Sequence, residues 1–253
     1  MVYLLQKYFG ADGREEADML LQRSSGSDEA PRMLGAFNEE TPDWLSFFMF
    51  TYFTDRDGKM QLESLAQSGF DPLSRTCRFM LTEEAHHMFV GETGVGRTIQ
   101  ATVDAMTAAG ITDPYDTNRI RDLGVIDLPT IQKKLNLHYS LSLDLFGNEV
   151  STNAANAFNA GIKGRYMEHR LDDDHQLQRD TYDVKMVSED QIVTEQMPAL
   201  NAINMRLRDD YVKDASGGLT RWNKIMKRKN VDFEFRLPHE GFNRNIGVFA
   251  NVS

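Results

Sequence analysis

One cysteine, Cys77, stands in 253 residues, so no disulfide can form within the chain. The chain shows no charged-then-apolar leader and no apolar run of bilayer length. Together these features lead to the expectation of a cytoplasmic protein. Basic residues are also in short supply: 28 Lys and Arg stand against 38 Asp and Glu, for a net charge of −10. That balance disfavours binding of nucleic acid or an anionic membrane by the whole surface and leaves room only for a local basic pocket. Neither nucleic acid nor membrane is expected as a partner. Two tempting patterns fail on spacing. Gly91, Gly94 and Gly96 lack the dinucleotide-binding spacing, and no strand leads into them. Laid on a calcium loop with Gly58 as the obligatory glycine, the first ligand position is Phe53 and the twelfth is Ser64.

What remains is helical. The length allows one domain or two with a sizeable core. Residues 71–97 hold two overlapping Glu-x-x-His pairs, Glu83 with His86 and Glu84 with His87. That spacing places a carboxylate and an imidazole on one face of a helix, able to grip one metal ion. Winding the segment at about 100° per residue separates the two registers. Glu84 falls among Cys77, Met80, Leu81, Met88, Gly91 and Val95, with His87 at the edge of that arc. Glu83 and His86 lie nearer Arg75, Arg78 and Thr82. A carboxylate within an apolar arc is costly unless paired or metal-bound, so Glu84 and His87 are the expected inward pair.

The preceding segment, residues 41–68, offers a partner. Trp44, Phe48, Thr51 and Asp55 share one helical face, and Leu62 and Ala66 continue it. A turn at residues 55–58 is the competing reading. Gly69 suits a helix end, and Asp71 and Pro72 suit an N-cap and first helical position. Asp55 lies thirteen residues before position 68 and Glu84 thirteen after position 71. An antiparallel helix pair would therefore bring the two acids to the same level.

Elsewhere, residues 1–9 read as apolar helix ending at Gly10 with no N-cap ahead, as if a segment were missing upstream. A second helical piece follows over 13–23, and a short apolar helix over 31–37 leads to Thr41 and Pro42 as cap and first turn. Residues 113–121 read as loop, 128–146 as helix and 151–160 as short helical pieces. Residues 182–187 and 191–194 alternate around a polar turn, the pattern of a β-hairpin. Helix is expected over 200–213, interrupted at Gly217 and Gly218 and resumed over 220–227, before a strand-like tail at 231–237. Asp172 and His175 repeat the i, i+3 spacing, and Asp144 precedes Asp172 by nearly the interval separating Asp55 from Glu84. No apolar arc surrounds them, so a solvated acidic loop is expected there. His138, His169 and His239 receive no role.

With these residues in view, the chain resembles the oxygenase components of benzoyl-coenzyme A epoxidases. The likeness rests on Thr41-Pro-Asp-Trp-Leu-Ser-Phe-Phe-Met-Phe50, Thr54-Asp-Arg-Asp-Gly-Lys59, Phe70-Asp-Pro-Leu73 and Phe79-Met-Leu-Thr-Glu-Glu-Ala-His-His87. Val125-Ile-Asp-Leu-Pro-Thr130, Arg206-Leu-Arg-Asp-Asp210 and Leu237-Pro-His239 extend it to essentially the whole chain. The resemblance implies a ferritin-like four-helix core holding two irons. It implies epoxidation of the ring of benzoyl-CoA with dioxygen as co-substrate, in benzoate degradation. Electrons would come from an NADPH-dependent flavin/iron-sulfur reductase component. Half of the family's iron ligands fall on Asp55, Glu84 and His87. The other half would precede Met1, and the family's C-terminal segment would follow Ser253.

The expectation is thus a mainly α protein: a partial ferritin-like domain over residues 1–180, contributing two of four core helices, and a mixed α/β extension with a hairpin over 181–253. Its alternative is a non-catalytic partial helical domain, unable to form a di-iron site on its own.

Overall fold

The computed structural model describes residues 2–146, 152–167, 170, 180–188 and 191–238. They are mainly helical, with one two-stranded antiparallel sheet. The expected acidic loop with Asp172 and His175 lies outside the described residues, as do His169 and His239. Residues 1–42 and 43–253 form two compact units.

In the first unit, α1 (Val2–Gln22) is broken where the sequence places a helix end. Gly10 sits at φ 63°, ψ −137°, a conformation that an L side chain rarely adopts. The apolar helix expected over 31–37 is instead a single 3-10 turn, Gly35–Asn38. Asn38 explains the difference. Its side-chain oxygen accepts from the backbone N–H of Gly26 (3.2 Å) and of Arg32 (2.8 Å), and its amide donates to the Arg32 carbonyl (2.8 Å). A side chain that satisfies the loop backbone in this way competes with helix.

The second unit opens with α2 (Trp44–Leu65). Its N-cap is Asp43, not Thr41: the carboxylate accepts from Ser46 N–H at 2.8 Å and pairs with Lys134 at 2.9 Å. An ionised acceptor with a basic partner outbids a hydroxyl at a helix N-terminus. The helix runs unbroken through Gly58, which removes the turn reading for residues 55–58. It stops at Leu65, earlier than Gly69. The Gly69 N–H instead donates to the Gly161 carbonyl at 2.7 Å. Then α3 (Asp71–Ala108) begins at Asp71 itself, with Pro72 in its first turn, where a missing N–H costs nothing.

α2 and α3 are antiparallel and in close contact. A Cβ at Gly91 would lie 2.6 Å from the Tyr52 nitrogen, and one at Gly94 would lie 2.3 Å from the Phe48 ring. The glycines therefore let two backbones approach. Facing positions pair 48 with 94, 52 and 51 with 91, 55 with 87 and 58 with 84. Apart from Tyr52, the members of each pair are equidistant from residue 71.

Around this pair pack α5 (Leu128–Asp144) and α7 (Ile203–Arg228), burying Tyr52, Phe53, Ile99, Tyr139, Tyr211 and Trp222. The loop expected over 113–121 contains a short helix, α4 (Thr117–Asp122), whose Ile120 is buried. An apolar anchor there outweighs the surrounding polar residues. Helix α6 (Thr152–Asn159) and the hairpin of β1 (Thr181–Ser188) with β2 (Gln191–Pro198) match the expected pattern.

Two expectations fail at the C-terminal side. α7 is continuous through Gly217 and Gly218 rather than interrupted. The Tyr52 hydroxyl occupies the space beside Gly218: it donates to the Ala215 carbonyl at 2.7 Å and accepts from Gly218 N–H at 3.1 Å. A Cβ on Gly218 would stand 2.0 Å from that oxygen. The glycine serves a contact between helices, at the roughly 1 kcal/mol propensity penalty of its position. The tail over 231–237 is not a strand. Asn223 bonds to both the N–H and the carbonyl of Phe235, and Gln132 does the same for Arg236. Side-chain amides supply the partners that a neighbouring strand would otherwise provide.

Candidate metal centre

Three side chains converge where α2 and α3 face each other. Asp55, Glu84 and His87 each offer a ligand atom within 4.8 Å of the others. His87 Nδ1 lies 3.7 Å from Asp55 Oδ2 and 3.9 Å from Glu84 Oε2. Across the interface, Asp55 is level with His87 rather than with Glu84. The reason is the turn: residues 66–70 extend past the end of α2, and the first turn of α3 completes the reversal. The levels shift by one helical turn, and Glu84 reaches back to the site because it stands one turn before His87.

The Glu84 register is also the inward one. The Glu84 side chain is 15% exposed, while Glu83 and His86 are exposed. Cys77, Gly91 and Val95 of its arc are buried, and Leu81 and Met88 are half-buried. Met80 is exposed, however, and so is Trp44 at the start of the Asp55 face. The apolar arcs drawn from sequence are therefore only partly covered. His87 is half exposed, so the site opens to the surface on the imidazole side.

The electrostatics are those of an acid pair short of positive charge. Burial pushes the Asp55 carboxyl up to about 7, Glu84 pushes it further the same way, and His87 opposes both. Glu84 is also raised, again chiefly by burial, with His87 opposing. Glu84 Oε2 is buried and accepts no hydrogen bond. An orphaned carboxylate oxygen, aimed at a second carboxylate and an imidazole, fits a bound cation better than it fits a solvated helix face. These residues could hold one metal ion through two carboxylates and one nitrogen.

Gly58 is a position that sequence reasoning missed. It faces Glu84, and a Cβ there would lie 3.9 Å from the carboxyl group. A glycine inside a helix costs stability, and that cost was the available signal of a close neighbour. Asp57, two residues beyond Asp55, serves another purpose. It is buried on a different side of α2, accepts from Gln61 at 3.4 Å, and is pushed up to about 7 by burial.

Antiparallel helices that direct carboxylates and an imidazole to one point are the framework of helix-bundle metal sites. No family model matches the chain. Over 252 residues, the whole of this chain, it is 58% identical to benzoyl-CoA oxygenase component B of Aromatoleum evansii. It covers 53% of that protein, so it spans about half the length of the curated relative it matches. No helix among the described residues is long and apolar enough to cross a membrane.

Proposed function

We propose that this chain is the part of a benzoyl-CoA oxygenase component that carries one half of a di-iron centre, with Asp55, Glu84 and His87 as its iron ligands. The observation that carries the reading is the convergence of these three side chains around the orphaned Glu84 Oε2. The 58% identity to a benzoyl-CoA oxygenase component supports the substrate assignment. The helix pair fits two of the four core helices of a ferritin-like bundle, with a second set of carboxylates and an imidazole completing the centre.

Bound iron would supply the binding of dioxygen and its one-electron chemistry. The reaction adds one oxygen atom across the 2,3 bond of the ring and releases the other as water. It consumes two electrons and two protons, delivered by way of an NADPH-dependent flavin/iron-sulfur reductase. The chain's own contribution is electrostatic and positional. Asp55 and Glu84 bring the negative charge that makes the site selective for a cation. His87 adds a neutral nitrogen ligand at the open edge. Gly91 and Gly94 hold α2 and α3 close enough for donors from both helices to meet. The protein would work in the cytoplasm.

A second reading rests on the exposure of His87 and on the ligand number. Among the described residues, the cluster serves one metal ion, so the chain by itself binds iron without turnover. A single-turnover assay with benzoyl-CoA, labelled dioxygen, reductant and a polypeptide supplying the second set of ligands separates the two. Label in the ring, lost with Glu84→Gln, supports the chain as half of a di-iron centre. Iron bound without ring product supports the second reading, and absence of iron overturns both.

A further inference from the structure

Glu84 stands between two thioethers. Met80 is four residues before it and Met88 four after, so the three share one face of α3 at successive turns. Helical side chains lean toward the N-terminus, which tips Met88 over the level of Glu84 and Glu84 over that of Met80. Met80 also precedes His87 by seven residues on the same row, and both are exposed. Met88 is half-buried.

Most methionines of the helices have a plain packing role. Met49, Met60, Met106 and Met226 are buried in the core, where a flexible, polarizable side chain fills irregular space. Met80, 39% exposed, fills none. Leucine and methionine have nearly equal helix propensity, so what methionine adds at such a position is its sulfur.

We propose that Met80 and Met88 are oxidised to methionine sulfoxide by hydrogen peroxide formed at the Asp55, Glu84 and His87 centre, and so intercept that oxidant beside the ligands. The inference rests on the iron reading above. A centre that is open on its imidazole side releases reduced oxygen next to these two side chains. Dioxygen takes one electron from each of two ferrous ions, together with two protons, and becomes hydrogen peroxide. The thioether sulfur then attacks one peroxide oxygen. An S–O bond forms, the O–O bond breaks, and the second oxygen leaves as water with the proton shed from the first. Sulfur loses two electrons and the peroxide gains them. The product is polar, and sulfoxide reductases return it to the thioether, so the oxidant is absorbed where the damage can be repaired.

Peroxide from bulk solvent does the same chemistry in order of exposure, which separates the two sources. Met33 is 71% exposed and comes first, Met80 follows, and Met88 is no more accessible than Met205 of α7, which is likewise half-buried.

The full chain is loaded anaerobically with ferrous iron, exposed to oxygen in the presence of catalase, and sulfoxide is quantified at each methionine by peptide mass spectrometry. The chain loaded with zinc, which has no redox chemistry, and treated with added peroxide gives the exposure order. Iron and oxygen are expected to raise sulfoxide at Met80 and Met88 by about fivefold or more relative to Met205, and added peroxide to raise Met88 and Met205 alike. Oxidation in the exposure order, with iron bound, overturns the inference and leaves the metal centre standing. Equal oxidation of Met80 and Met88 in the zinc-loaded chain under oxygen overturns it too. No iron bound by the parent chain strikes the iron reading itself and the inference with it. The double variant Met80→Leu, Met88→Leu keeps side-chain volume nearly constant. It should bind iron as the parent does and suffer more oxidation at His87; unchanged oxidation there, or loss of iron, overturns the protective role.

Discussion

Asp55 Oδ2 and His87 Nδ1 lie 3.7 Å apart across the α2–α3 interface, at positions equidistant from the residue that begins α3. The contact ties the site to the helix register: a slip of one residue in either helix would rotate one partner away. Glu84 joins them from within α3, one turn earlier.

That geometry separates two adjacent acids. Glu84 points into the interface with a buried oxygen, while Glu83 is exposed. Glu84→Gln is expected to lower iron affinity by about tenfold or more, and Glu83→Gln to leave it within about twofold. Equilibrium dialysis with ferrous iron under anaerobic conditions measures both. Loss confined to the Glu83 variant would show that α3 presents its other face.

The helix approach should be equally sensitive. At Gly91 an added methyl meets the Tyr52 nitrogen, the Thr51 hydroxyl and the Phe48 carbonyl, all within 2.8 Å. Two of these are backbone atoms that cannot swing aside. Overpacking of this kind costs about 1–3 kcal/mol, against up to about 1 kcal/mol regained in helix propensity. Gly91→Ala should therefore lower stability in urea denaturation and weaken iron binding together. A more stable variant with unchanged iron affinity would contradict the close contact.

His138 sets a pH dependence away from the metal. Its ring is buried, and burial, aided by Lys134 and opposed by Asp43, lowers its pKa to about 4. The unfolded chain titrates it near the ordinary value of about 6.5. Between those values the unfolded state takes up a proton that the folded state refuses, so this group favours unfolding increasingly as pH falls from about 6.5 to about 4. The full effect is about 3 kcal/mol. Asp57, raised to about 7, acts with the opposite sign, gaining stability as pH falls through that value. The measurement is therefore the difference between the wild type and His138→Gln: the variant should lose less stability between pH 7 and pH 4. Parallel curves would place His138 in contact with solvent.

Much of this was legible in the sequence because it depends on local periodicity. The helical winding that selects Glu84 over Glu83 and the alternation around the hairpin need no partner to be read. Three of the misreadings turn on contacts made outside the segment misread. Gly218 looked like a helix break because nothing nearby in sequence shows that the Tyr52 hydroxyl fills its place. Residues 231–237 looked like a strand because their extended backbone is satisfied by Asn223 and Gln132, the latter about a hundred residues away. The level of Asp55 was off by a helical turn because the length of the reversal at 66–70 is set by packing against residues 161–164.

The central claim is that Asp55, Glu84 and His87 bind iron. Anaerobic titration of the whole chain with ferrous iron, followed by admission of oxygen, tests it most directly. About one iron per chain is expected, lost when all three are replaced in Asp55→Asn, Glu84→Gln, His87→Gln, and without the spectrum of an oxygen-bridged iron pair. Iron retained at the same level in the triple variant, or no iron bound by the parent chain, would contradict it.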